Sequence, residues 1–277
     1  MSLDMNVKVM YLNPIGNSDY DQVFADMAKD YKYPATAVDV TSMNPASVPP
    51  KMNNLEYRTY EAFIIRDTVE AARYAANNGY DAMVIGCFYD PALDDAREIS
   101  GTTAVVAPCQ AACEVALNLA NNFSVIIGET KWKDQMRQTV YNYGYKDKLA
   151  SFQAVGMRVE DFHKDPEATK LALETAAVEA VELHKAESII LGCTLEVGLF
   201  KELQETLGSI FAGNIPVIDC SIAALKAGEN AALAKHVGWN PSRMWGMQPP
   251  PESELQAFDI LQADYKFGNV IHVPADS

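Results

Sequence analysis

The chain has 277 residues, 49% of them hydrophobic and 21% charged, with a formal net charge of −15. That is the composition of a folded protein of one large or two ordinary domains. The acidic balance argues against nucleic acid and membrane surfaces as partners, because their phosphates call for Lys and Arg. No window reaches the roughly 18 to 20 apolar residues of a spanning helix, and no basic segment followed by an apolar one opens the chain. A cytoplasmic protein is expected, with Met1-Ser2-Leu3 read as an added leader and Met5 as the natural start.

Apolar runs of strand length alternate with helical stretches along the chain. The first half carries VKVMYL, ATAVDV, AMVIGC and TAVVA as strands, and the second SVIIG, FQAVGM, SIILGC and PVIDC. These runs are continuous rather than alternating, as parallel strands covered on both faces require. Helices are expected over Asp19–Tyr31, Tyr57–Asn78, Gln110–Asn121, Trp132–Gly144, Pro166–Lys185 and Ile222–His236. Asp165-Pro166 supplies an N-cap and a proline at the first helical position for the fifth. Beyond Trp239 a proline-rich segment, QPPPESE from Gln248, stands outside the pattern with no assigned role.

The two halves repeat. VEAARYAANNGYDAMVIGC (Val69 to Cys87) aligns without a gap on TAAVEAVELHKAESIILGC (Thr175 to Cys193), and TAVVAPCQAACEVA aligns on IPVIDCSIAALKAG. A period this long exceeds that of solenoid repeats. Strand–helix alternation implies right-handed βαβ units. The expected fold class is therefore α/β: two similar lobes, each an open, mostly parallel sheet flanked by helices, related by a pseudo-twofold with the active site between them. The expected boundaries are 6–108 plus 222–277 for the first lobe and 109–221 for the second.

Each half closes its third strand on a glycine-cysteine pair, Gly86-Cys87 and Gly192-Cys193. In open parallel sheets ligands bind beyond the carboxyl ends of the strands. A cysteine there meets unpaired backbone N–H groups and a helix dipole, which lower its pKa from about 8.5. Two such thiols facing one carbon from opposite sides make an acid and a base for stereoinversion. The other cysteines, with Cys109 and Cys113 on one helix face, read as core. The four histidines stand apart, so neither metal nor disulfide framework is expected.

The segment CFYDPALDDARE (Cys87 to Glu98) with TTAVVAPCQAACEVALNLANNFSVIIG (Thr103 to Gly128) resembles the hydantoin and allantoin racemase branch of the aspartate/glutamate racemase superfamily. Asn13-Pro14, LGCTLEV (Leu191 to Val197) and PVID (Pro216 to Asp219) are similar to its other motifs. The resemblance implies 1,1-proton transfer without a cofactor, Cys87 and Cys193 as the catalytic pair, and a homo-oligomer. Asn13, the backbone at Phe88, Gly128, Glu129, Thr130 and Thr194 are the candidate substrate contacts. Gly128-Glu129-Thr130 replaces a Thr-Thr pair common in hydantoin racemases, and Thr194 follows the second cysteine as in amino-acid racemases. Against an amino-acid substrate, Phe88-Tyr89 stands where those enzymes carry Asn-Thr. The expected reaction is thus racemisation of a 5-substituted hydantoin or related cyclic ureide such as allantoin. The alternatives are an aspartate/glutamate-type racemase, a Cys-dependent isomerase or decarboxylase of the superfamily, and a two-lobed cytoplasmic binding protein.

Overall fold

A computed structural model describes residues 6–276 of the chain; the proposed leader and the start at Met5 lie outside them. The chain forms two compact units. One contains the residues up to 86, 91–107 and those from 225 onward, and the other contains 87–90 and 108–224.

The first unit begins with β1 (Val7–Asn13), α1 (Asp21–Tyr31), β2 (Thr36–Ser42), α2 (Arg58–Ala62), α3 (Ile65–Asn77), β3 (Ala82–Ile85), α4 (Leu93–Ile99) and β4 (Ala104–Val106). The second holds α5 (Pro108–Leu119), β5 (Phe123–Ile127), α6 (Lys133–Asn142), β6 (Leu149–Ala154), α7 (Pro166–His184), β7 (Ile189–Leu191), α8 (Phe200–Ile210) and β8 (Val217–Asp219). Helix α9 (Cys220–Ala234) carries the chain back to the first unit, which ends with α10 (Glu252–Ala257) and β9 (Asn269–Val273).

The sheet of the first unit runs β4-β3-β1-β2-β9, and that of the second β6-β5-β7-β8. Strands β1 to β4 and β5 to β8 are parallel within their sheets. In both, the first strand lies between the second and third, and the fourth flanks the third. The repeat in sequence is thus a repeat in topology. The continuous apolar runs are buried as expected: Val9 to Leu12 and Ile189 to Leu191 are shielded from solvent. In the second unit Ile126, Ile189 and Leu191 pack on Leu173, Ala177 and Ala180 of α7 and on Leu203 and Leu207 of α8. Asp165 Oδ1 accepts the Ala168 N–H at 3.1 Å and caps α7 as its sequence requires.

Four departures from the sequence reading have local causes. The stretch Tyr57–Asn78 is two helices rather than one, because Phe63 and Ile64 close the first turn with i→i−3 bonds to Tyr60 and Glu61. Helix α8 lies outside the expected helices, and α4, with seven residues, is too short for a clear period of its own. The proline-rich QPPPESE leads into α10, with Pro251 at its N-cap. Strand β9 was also missed, since it lies at a sheet edge, pairs antiparallel with β2 and alternates between partial and full exposure over most of its length.

Candidate active site

Both glycine-cysteine pairs lie just past a strand's carboxyl end, on matching hydrogen bonds. Gly86 N–H donates to Leu12 O and Gly192 N–H to Ile126 O, each at 2.8 Å. A Cβ on Gly86 would stand 2.8 Å from Leu12 O, and one on Gly192 2.8 Å from Ile126 O. Close approach to the neighbouring strand therefore demands glycine at both points, and the next residue leaves the sheet. Cys87 is half-buried and Cys193 is 8% exposed; none of the five cysteines forms a disulfide.

The loop after Cys87 is pinned by one carboxylate. Asp90 and Ala92 both take left-handed backbone, with φ of 52° and 54°. Asp90 Oδ1 accepts the Cys109 N–H at 2.8 Å, and Oδ2 accepts the Gln110 N–H at 3.0 Å and the Tyr143 hydroxyl at 2.9 Å. Asp90 thus turns the chain and also caps a helix, but the helix is α5, which follows β4 rather than the Cys87 loop. Charge and geometry both suit the unpaired donors of that first turn. Tyr143, which nothing in its local sequence singles out, buttresses the carboxylate. Asp90→Ala strips these donors of their acceptor. It is expected to cost about 2 to 3 kcal/mol and to lower turnover roughly tenfold through the Cys87 loop, with Asp90→Asn milder. A urea midpoint for Asp90→Ala equal to wild type would remove this role.

Cys193 sits in a reciprocal cap. Its N–H donates to Glu196 Oε2 at 3.0 Å, and the Glu196 N–H donates to the Cys193 sulfur at the start of a short 3-10 turn over Thr194–Glu196. An N–H aimed at sulfur favours thiolate. Glu196 is completely buried, and its Oε1 has no hydrogen-bond partner among the described residues. Burial holds its carboxyl well above the usual range, and the nearby Asp219 adds to this against the Cys193 N–H. The buried thiol of Cys220 is likewise pushed up by desolvation. It also feels Asp219, Glu196, Cys193 and Asp90, so both cysteine loops lie in electrostatic reach of one point.

Asp219, at the end of β8, accepts N–H groups from Gly198, Ser221 and Ile222 at 2.9, 3.0 and 3.2 Å. Burial nonetheless raises its pKa from 3.8 to about 6, those three bonds opposing. A raised carboxyl pKa contributes stability that is fully present below the unfolded value and is lost as pH rises through the folded one. Wild type is therefore expected to lose stability relative to Asp219→Asn between about pH 4 and pH 6, by on the order of 3 kcal/mol. Urea unfolding of both proteins across that window tests it; parallel curves would contradict it.

The remaining candidates fall in several settings. Asn13 ends β1 in the first unit and is 3% exposed. Phe88 is buried, at 2% exposure. Gly128 is required sterically, since a Cβ would lie 2.2 Å from Met157 O. Glu129 is half-buried, and its carboxylate makes no hydrogen bond among the described residues; Thr130 is exposed. Thr194 is half-buried and its carbonyl accepts the Ser221 hydroxyl at 3.1 Å. Apart from Asn13, all of these belong to the second unit together with Cys87 and Cys193. Cys109 and Cys113 are core residues, as expected. Among the described residues no group of three or more His, Cys, Asp or Glu is placed to hold a metal, and no helix is long and apolar enough to cross a membrane.

Residues 9–228 match the Asp/Glu/Hydantoin racemase family. The chain is similar to a hydantoin racemase of Paenarthrobacter aurescens, 30% identical over 248 residues that cover 90% of this chain and 99% of the relative. A hydantoin racemase of Pseudomonas sp. (strain NS671) is 31% identical over 205 residues, 73% of this chain and 80% of the relative. In fold the chain is similar to allantoin racemase from Klebsiella pneumoniae, with a TM-score of 0.76 at 23% identity over 88% of this chain and 94% of that one. These likenesses favour an enzyme over a binding protein. With a family match across most of its length and two glycine-cysteine sites in matching positions, the chain belongs to the Asp/Glu/hydantoin racemase family, in its hydantoin and allantoin branch, and is an isomerase.

Proposed function

We propose that this racemase inverts a 5-substituted hydantoin or a related cyclic ureide such as allantoin, with Cys87 and Cys193 as opposed base and acid and no cofactor. The observation that carries the reading is the matched setting of the two cysteines, each released from a strand end by a sterically required glycine. One sulfur, as thiolate, removes the proton from carbon 5. The electron pair passes into the adjacent ring carbonyl, and the other thiol delivers its proton to the opposite face. The two sulfurs exchange protonation states, so each serves one enantiomer. Backbone N–H donors such as that of Phe88 hold the enolate oxygen. Glu129 and Asn13 accept from ring or ureido N–H groups, while Thr130 and Thr194 complete the contacts; at Gly128 it is the absence of a side chain that matters.

Two lines support a cyclic amide over an amino acid. The curated relatives are hydantoin racemases, and the Glu129 carboxylate, without a hydrogen bond among the described residues, suits an N–H donor while repelling an anion. The family resemblance adds a homo-oligomer to this reading, and the free cysteines suit a cytoplasmic setting. The test follows optical rotation and solvent deuterium at the inverted carbon for hydantoins, allantoin, aspartate and glutamate. Loss of rotation with deuterium uptake is expected for the cyclic ureides. Turnover of aspartate or glutamate alone would move the substrate to the amino-acid branch.

A further inference from the structure

The family match ends at residue 228, yet a residue far beyond it is tied to a candidate substrate contact. The C-terminal segment is fastened to the first unit before it reaches β9. Leu255 of α10 is buried, and the Tyr265 hydroxyl donates to Asp67 Oδ1 at 2.6 Å while accepting the Asn44 N–H at 2.8 Å. Phe267 packs edge-on against Tyr74 and Tyr265, and Gly268 N–H donates to Ser42 O at 3.0 Å. Strand β9 then starts in register with the carboxyl end of β2. Asn13 of β1 pairs with Ser42, and Ser42 pairs with Asn269, so these three residues form one row across the sheet's ligand edge.

Asp21 joins the two ends of that row. Its side chain is completely buried. Oδ1 accepts from Asn13 Nδ2 at 2.7 Å, and Oδ2 accepts from Asn269 Nδ2 at 3.0 Å. The second hydrogen of Asn13 Nδ2 goes to Asn17 O at 3.1 Å. Both N–H groups of Asn13 are therefore engaged, and its Oδ1 accepts nothing among the described residues. Turning the amide over would set its oxygen against a carbonyl and a carboxylate, so the network allows one orientation.

We propose that Asn269 is a positioning residue of the racemase: acting through Asp21, it locks the Asn13 amide with only its carbonyl oxygen left for the substrate. That position then accepts a ring or ureido N–H and discriminates against a substrate alkylated at the same nitrogen. The inference rests on the reading of Asn13 as a substrate contact. It also assigns a task to a strand outside the family match. Losing Asn269 has a further consequence. Burial already raises the Asp21 pKa, Asp19 pushes the same way, and the side chains of Asn13, Asn269 and Ser42 oppose it. Without Asn269 the carboxyl protonates more readily, and a protonated Asp21 can donate to Asn13 and invert the amide.

The test compares Asn269→Ala, Asn13→Ala and Val270→Ala with wild type; Val270, its neighbour on β9, is 53% exposed. With a 5-substituted hydantoin and its N-methyl counterparts, Asn269→Ala is expected to lose about tenfold to hundredfold in kcat/KM for the unmethylated ring, mostly through KM. Its preference for that ring should fall towards one, and the loss should deepen as pH is lowered. Val270→Ala should change neither. A readout independent of turnover is the side-chain amide of Asn13 in a selectively labelled protein, slow to exchange in wild type and fast in Asn269→Ala. Unchanged Asn13 exchange in Asn269→Ala overturns the lock whatever the substrate proves to be. So does an equal loss for both rings with a lowered unfolding midpoint, which marks a merely structural role. If Asn13→Ala leaves KM and discrimination intact, the contact itself fails and the proposal fails with it, whereas a changed Asn13→Ala beside an unchanged Asn269→Ala defeats only the positioning claim.

Discussion

Cys87→Ala and Cys193→Ala are each expected to lower racemisation of the cyclic ureide by about three orders of magnitude, within the range a positioned acid or base contributes. The two losses should not resemble each other in isotope exchange. With Cys193 absent, Cys87 still meets one face of the carbon, so deuterium washes into one enantiomer without inversion; with Cys87 absent, the other enantiomer exchanges. This complementary pattern separates two opposed thiols from a single catalytic cysteine. Serine variants should fall nearly as far, since an alcohol is far less acidic than a thiol. The double variant should show little further loss in racemisation, because groups that act as a unit are not additive. Racemisation that survives either single alanine substitution would end the two-thiol reading.

Gly128→Ala carries the largest expected effect on stability. A Cβ there would stand 2.2 Å from Met157 O and 2.5 Å from the Trp132 ring. The carbonyl belongs to backbone already tied to Gly128, whose own oxygen accepts N–H groups from Gly156 and Met157. Trp132 is buried and cannot swing aside. Relief requires backbone movement, so a cost of about 3 kcal/mol or more is expected, read as a lower urea midpoint at unchanged slope. Gly208→Ala is the matched control. It lies within α8 with nothing inside 4 Å of an added Cβ and should gain about 0.5 to 1 kcal/mol. Equal midpoints for Gly128→Ala and wild type would show that the loop is free to yield.

Much of the architecture was legible because it depends on local pattern. Continuous apolar runs mark parallel strands, and all eight that the sequence proposed overlap strands of the two sheets, with β6 displaced to start three residues before FQAVGM and end at Ala154. The gapless alignment of Val69–Cys87 with Thr175–Cys193 corresponds to one strand order used twice, down to the paired bonds of Gly86 and Gly192. Apart from α8, what the pattern does not mark is short or at an edge. Helix α4 offers too few residues for a period, and β9 shows a half-exposed pattern that only pairing with β2 turns into a strand.

The candidate site divides along the same line. Residue type and strand-end position suffice to single out Cys87 and Cys193, since a glycine-cysteine pair closing a buried strand carries its meaning in a few adjacent letters. Partnerships across long stretches of chain carry no such mark. Asp90 reaching α5 and Tyr143, Glu196 lying buried against Cys193, and Asn269 meeting Asp21 across 248 positions all arise from tertiary packing. Hydrophobic periodicity records which face a residue turns to the core, so sequence alone sufficed for the fold class and the two thiols. Hydrogen-bond partners depend on where the chain returns, and only the folded structure decided what holds each thiol loop and each candidate contact in place.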